Sequence, residues 1–459
     1  MDLTLAEIVA ITGGHAVGRD AIARGFAFDS RSLSRGEGFA ALRDLRDGHD
    51  FVGDAFARGA TLALVERVPR DADGTFVIVA DVRRALLDLA RAVRARLSDA
   101  AVIGITGSAG KTSTKDLTAA AIGVARRVHA SAASFNNEIG LPITLLGASP
   151  DSEALVLEMG ARFAGNITEL CAIARPGIGV ITHIGLAHAE HLGGRGGVAR
   201  VKGELLEALP ADGLAVLNAE CEHTAAQRSR AAARVVTVGI DAVADVRVSE
   251  VRLDAELRAT FRLDSPWGAA PAVRLAVRGE HQVLNAAQAA TVALHLGVAP
   301  AAVVAALEGA GAADWRMQLG TSPAGVLVLN DAYNASPTAV AAALDALGHL
   351  DPRGRRIAVL GEMLELGTAA AVEHARVGDL AAASGVDLLI AVGTGAAPIA
   401  HAAATRGVEV RTVADAEAAA SVVLAVAEPG DAVLVKASRA VGLERVAAAL
   451  LAGRVEVAP

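Results

Sequence analysis

The run Gly104-Ile-Thr-Gly107-Ser108-Ala109-Gly110-Lys111-Thr112-Ser113 follows a short apolar stretch and opens a helical pattern. A glycine-rich turn in that position exposes successive backbone N–H groups at a helix N-terminus, which cradle phosphate oxygens. Lys111 then reaches the β- and γ-phosphates of a nucleotide, and the Thr112 hydroxyl coordinates Mg²⁺. The residue five before Gly110 is Ile105, so the loop fits the shorter T-G-x-x-G-K-T form. An ordinary glycine-rich strand-to-helix turn is the plainer alternative, but strand, loop, Lys-Thr and helix all fall in order.

Further candidates follow along the chain. Glu158 ends an apolar run, 154–158, where a carboxylate beside a phosphate loop can hold Mg²⁺; read alone it is a strand-end surface residue. His183 closes the run 179–183 at a position that faces the ligand crevice in an open α/β sheet. His188 and His191 nearby raise a zinc cluster, yet no cysteine is close and the spacing fits a loop better than one helical face. Lys202 opens an amphipathic helix and on its own reads as a solvated lysine. Lysine is rare, however: only Lys111, Lys115, Lys202 and Lys436 among 43 basic residues. Where arginine is written for surface charge, a lysine is a candidate for chemistry that a guanidinium cannot perform; the alternative is that composition simply left four behind.

The elements that position these residues read as α/β. Short aliphatic runs at 101–106, 154–158, 179–183, 214–217, 326–330, 356–360, 388–392 and 432–435 are bounded by Gly, Asp or Pro and alternate with helical patterns, the signature of parallel sheets. Before residue 100 the chain has a turn-rich middle, 29–38, and one amphipathic helix, 83–97. Between 241 and 278 the pattern alternates apolar and polar, an antiparallel patch. An alanine-rich helix ends in Gly-Ala-Gly near 309–313. Three domains are expected: a small α/β N-terminal domain (1–98), a central P-loop-type parallel-sheet ATPase domain with the antiparallel patch (99–312), and a Rossmann-like C-terminal domain (313–459).

At 459 residues the chain exceeds any single small module. Its hydrophobic share of 53% with 3% aromatics gives large aliphatic cores, and its net charge of −8 argues against a nucleic-acid footprint. The longest apolar stretch, 388–404, is interrupted by Gly393, Gly395, Pro398 and His401, so no membrane span is expected. Acidic Asp2 and Glu7 and the lack of a basic-then-apolar run argue against a secretory signal, and a cytoplasmic protein is expected. Cys171 and Cys221 form no disulfide or zinc pattern.

The shortened phosphate loop, with Asn136-Asn137-Glu138-Ile139-Gly140-Leu141-Pro142 and Glu158-Met159-Gly160, resembles the Mur ligases, ATP-dependent amide-forming enzymes of peptidoglycan precursor synthesis related to folylpolyglutamate synthetase. The resemblance spans essentially the whole chain. It implies ATP bound by Gly107 to Ser113 and by Asn137, with His281 and Asn285 of Gly279-Glu-His-Gln-Val-Leu-Asn285 near the nucleotide and Arg316 and Asp331 closing from the third domain. It implies two Mg²⁺ ions, with Glu158, His183 and Lys202 as ligands, Lys202 after reaction with CO₂ to a carbamate. The segment Asn330-Asp331-Ala-Tyr333-Asn334-Ala-Ser336-Pro337, with Leu360-Gly-Glu362-Met-Leu-Glu365-Leu-Gly367 and His374, is similar to the member that joins D-alanyl-D-alanine to the UDP-N-acetylmuramoyl-tripeptide. The Asn-Pro-Arg motif of the third-residue ligase is missing, although that enzyme and a folylpolyglutamate synthetase-like ligase stay as alternatives. Departures are Glu362 where Asp is usual and Ala437 where Gly is common, in Lys436-Ala-Ser438-Arg439. Substrate contacts are implied for Asn330, Tyr333, Asn334, Ser336, Lys436, Ser438 and Arg439, and for Ser30 and Arg31, whose Asp-Ser-Arg setting is otherwise a capped turn. A monomer is expected, and Lys115 has no role in this reading.

Overall fold

The computed structural model describes residues 1–240 and 243–453. Asp241, the first residue of the alternating stretch, and the last six residues of the third domain, 454–459, lie outside the described residues.

All eight aliphatic runs are strands, at Ala101–Thr106, Ala154–Glu158, Ile178–Ile181, Leu214–Asn218, Leu327–Asn330, Arg356–Gly361, Leu388–Val392 and Ala432–Lys436. The first four lie within a nine-stranded sheet, in the order 268–278, 258–265, 246–253, 234–240, 214–218, 178–181, 101–106, 154–158, 128–130. Strand Ala101–Thr106 pairs in parallel with both Ile178–Ile181 and Ala154–Glu158. The chain reverses its direction of winding beside this strand, and the crevice outside such a reversal is where open α/β sheets take ligands. Strands Val246–Leu253, Arg258–Ser265 and Gly268–Arg278 are antiparallel to one another, extending the same sheet.

A six-stranded sheet begins after helix Pro300–Gly309, in the order 318–321, 327–330, 432–436, 356–361, 388–392, 409–413. Only its first pair is antiparallel. The N-terminal region carries a five-stranded mixed sheet of short strands.

Three domains result, but the first two share a core. Helix Val82–Arg96 is capped by Asp81 and buries Leu86, Leu89, Ala90 and Val93 on one face. That face belongs to one apolar cluster with Leu3 and Ile8 of the N-terminal region and Leu141, Leu145, Leu205 and Leu217 of the central one. The Met1 amine donates to Leu146 O at 3.1 Å and Ala148 O at 2.6 Å, and the Phe28 ring lies 5.8 Å from that of Phe135. The six-stranded sheet has cores of its own on both faces, joined from the central region by Leu257.

Candidate functional site

The phosphate loop leaves strand Ala101–Thr106 and enters helix Lys111–Gly123 through Gly110. Gly110 holds φ of +82°, and a Cβ there would meet Asn285 Oδ1 at 2.5 Å, so the position requires glycine. The Lys111 ammonium donates to Gly107 O at 2.9 Å, curled over the loop it serves. Burial lowers its pKa, an effect opposed by the Glu158 charge and reinforced by Arg316.

The Thr112 hydroxyl donates to Glu158 Oε2 at 2.7 Å, and Asn136 Nδ2 donates to Glu158 Oε1 at 2.7 Å. Glu158 is 1% exposed and forms no ion pair among the described residues. A buried carboxylate held only by neutral groups beside a phosphate cradle has the donor chemistry of a cation site. No cluster of three or more His, Cys, Asp or Glu able to hold a metal occurs among the described residues. The residues present suit a hard ion sharing its coordination with nucleotide phosphates and water.

A cleft of about 820 Å³ opens over this loop, walled by the central and C-terminal domains. It collects Ser108 to Ser113, Asn137, Glu158, His183, His281, Asn285, Arg316, Asp331, Tyr333, Asn334, Ser336, Lys436, Ser438 and Arg439, most of the residues expected from sequence. Gly107, Lys202 and Asn330 lie behind the wall; Asn330 Oδ1 caps its own turn at Ala332 N. Ser30 and Arg31 stand away from this cleft in the N-terminal domain, Arg31 bound to Asp29 at 2.7 Å.

Several side chains have partners that spacing did not reveal. Asn137 Oδ1 accepts from Gly140 N, at the start of helix Gly140–Leu146, at 2.8 Å, while its neighbour Asn136 holds Glu158. Asn285 is braced by Gln282 and by Thr114 of the phosphate-loop helix. Lys436 donates to Asp331 Oδ2 at 2.6 Å and to Asn334 O at 2.8 Å, organising the turn instead of pointing freely into the cleft. Burial lowers the pKa of His281, with Asp331 opposing and Lys436 assisting.

The His183 ring bonds Thr338 Oγ1 at 3.3 Å, and the Cys221 thiol donates to Ile184 O at 3.6 Å. Burial would raise that thiol's pKa, but His183 and its other partners bring it to about 6. His188, with φ of +59°, pairs through Nδ1 with Glu365 of the C-terminal domain. Burial lowers the His188 pKa against the pull of Glu365, and the charges of both Lys111 and Lys202 lower it further. The His188 imidazole thus lies within electrostatic range of both lysines. Lys202 is 1% exposed, and burial, helped by Lys111, pushes its ammonium down to about 7.

The C-terminal domain reaches the loop directly. Arg316 Nη2 donates to Thr112 Oγ1 at 2.9 Å, with its guanidinium 4.1 Å from the Tyr333 ring centre, and Tyr333 OH donates to Ser134 Oγ at 2.7 Å.

Residues 105–293 match the Mur ligase middle domain, and residues 315–439 match the Mur ligase glutamate ligase domain. A UDP-N-acetylmuramoyl-tripeptide--D-alanyl-D-alanine ligase of Mycobacterium tuberculosis is 42% identical over 98% of both chains. The chain belongs to the Mur ligase family. Other relatives of this Mur ligase carry the same enzyme name, including one from Bacillus subtilis at 34% identity over 96% of both chains. A crystal structure of MurF from Acinetobacter baumannii superposes with a TM-score of 0.86 at 30% identity, covering 98% of this chain and 99% of the other. MurF from Thermotoga maritima, solved in complex with ADP, gives 0.77 at 28% identity over 92% and 96%. No helix among the described residues of this Mur ligase is long and apolar enough to cross a membrane.

Proposed function

We propose that this chain joins D-alanyl-D-alanine to UDP-N-acetylmuramoyl-tripeptide in peptidoglycan precursor synthesis, with ATP converted to ADP and phosphate. The observation that carries the reading is the meeting at Thr112 of the phosphate loop, buried Glu158 and Arg316 from the opposite domain, in a chain related end to end to enzymes of that name. The tripeptide's terminal carboxylate attacks the γ-phosphorus in line, giving an acyl phosphate and ADP. The dipeptide's free amine then attacks the acyl carbon, loses a proton, and phosphate departs with the P–O bond intact. Lys111 and Arg316 neutralise developing phosphate charge, and cleft closure excludes water that would hydrolyse the acyl phosphate.

Mg²⁺ would be held by Thr112 and Glu158, where it would supply charge neutralisation of the transferring phosphoryl group. A second ion would be held by Lys202 with His188, whose imidazole feels the Lys202 charge, and by His183 on the same cleft wall. The neutral amine of Lys202, available from about pH 7 upward, attacks CO₂ and releases a proton to become a carbamate. The domains would divide the work as 1–98 for the UDP-sugar, 99–312 for ATP and 313–459 for the dipeptide, in a cytoplasmic monomer.

The test is ADP release by the purified protein. Stimulation is expected with UDP-tripeptide plus D-alanyl-D-alanine; stimulation only by UDP-dipeptide plus a diamino acid, or only by a folate and glutamate, would replace this reading.

A further inference from the structure

The lysine left without a role is almost completely enclosed. Lys115 projects from helix Lys111–Gly123 one turn beyond Lys111 and is 3% exposed. Its Nζ donates to Ser131 O at 2.7 Å and Ala133 O at 3.4 Å and pairs with Asp116 Oδ1 at 2.6 Å. Three acceptors match the three protons of an ammonium. Both carbonyls belong to the segment 131–137, which turns through Ala133 at φ of +43°, a conformation uncommon outside glycine and therefore in need of outside support.

The same segment surrounds the cation-binding pair. Ser131 Oγ accepts from Glu158 N at 3.1 Å, Ser134 Oγ lies 3.4 Å from Thr112 Oγ1, and Asn136 Nδ2 donates to Glu158 Oε1 at 2.7 Å. Gly160 N, just past Glu158, donates to Asn136 O at 2.7 Å. Releasing the carbonyls of residues 131 and 133 would therefore free the groups that hold Glu158 through its Oε1 and its backbone N–H and that lie beside the Thr112 hydroxyl. A guanidinium could not substitute, because its planar fork cannot aim N–H groups at three acceptors arranged around one nitrogen.

We propose that Lys115 is a positioning residue: its ammonium fixes segment 131–137 against the phosphate-loop helix, so that Thr112 and Glu158 present a preformed oxygen pair to the divalent ion accompanying the nucleotide. The inference rests on the ligase reading only in requiring a nucleotide–metal ligand.

Calorimetric titration of ADP into the full chain, in Mg²⁺ and again in EDTA, yields the ratio of metal-free to metal-bound Kd. In Lys115→Met this ratio is expected to fall by about tenfold or more, the usual effect of losing a group that orients a metal ligand, with metal-free ADP affinity kept within about twofold. KM for UDP-tripeptide should be unchanged. A lower melting temperature with the wild-type ratio would overturn the positioning role and leave Lys115 as a packing residue. Should Lys115→Met not fold, Lys115→Arg keeps the charge but cannot meet the three acceptors around one nitrogen; a ratio lowered by about threefold or more supports the clamp, and an unchanged one overturns it. Wild type binding ADP equally with and without Mg²⁺ would overturn the functional reading and this inference together.

Discussion

At the scale of single residues the four lysines are the most informative set. Lys115, Lys202 and Lys436 are each no more than 3% exposed, and Lys111 is partly covered by its own loop, so surface positive charge in this chain is left to arginine. Lys111→Arg is expected to lower kcat by roughly 100-fold or more, because a planar fork cannot settle over Gly107 O and still reach a phosphate; near-wild-type turnover would contradict the loop assignment. Lys202→Ala should lose activity and regain part of it with added short-chain carboxylates, which replace the missing carbamate oxygens. Full activity without them would remove the carbamate. The same lysine gives a signed pH dependence. Its pKa falls from 10.5 to about 7 on folding, so between these limits the unfolded chain binds a proton that the native one does not. Stability then rises with pH across that window and is flat below it. In CO₂-free buffer, the melting temperature of wild type relative to Lys202→Met should climb as pH is raised from about 7.5 to 10; parallel curves would show that the ammonium is not desolvated.

At the scale of elements, the strands were legible because parallel strands covered on both faces read as unbroken aliphatic runs. Those missed are half-exposed edges such as Val128–Ala130 and Glu409–Val413, whose side chains carry no such run. Helix Val82–Arg96 is legible from its apolar stripe, but a stripe does not name its partner: by position the helix belongs to the first domain, and its buried face also packs on the second. Leu89→Ala, at a fully buried position in that shared cluster, should therefore cost about 2–5 kcal/mol in denaturant unfolding. A cost below about 1 kcal/mol would mean that the two regions are not joined through this face. Within the site, residue types were legible and pairings were not. Asn136 and Asn137 differ in no property that composition or period records; which one faces the chemistry depends on how a loop turns after its strand.

For the whole molecule, the two interdomain boundaries differ in kind. The N-terminal and central regions are joined by an apolar cluster, but the C-terminal domain meets the phosphate loop through polar contacts, including Arg316–Thr112, Tyr333–Ser134, Thr338–His183 and His188–Glu365. Polar contacts exchange readily with water and each adds about 0.5–1.5 kcal/mol, so the second boundary is the one able to open for substrates and close on them. Two consequences can be measured. A fragment of residues 313–459 retains apolar cores on both faces of its sheet and should unfold cooperatively, whereas residues 1–98 alone would expose Leu86, Leu89 and Val93 and should lack a cooperative transition. Tyr333→Phe deletes one closing hydrogen bond while keeping the ring under Arg316, and should reduce kcat by about threefold to tenfold, the equivalent of that single bond, with KM for UDP-tripeptide unchanged. An effect confined to KM would assign Tyr333 to substrate binding instead, and a cooperatively folding 1–98 fragment would move the fixed boundary away from helix Val82–Arg96.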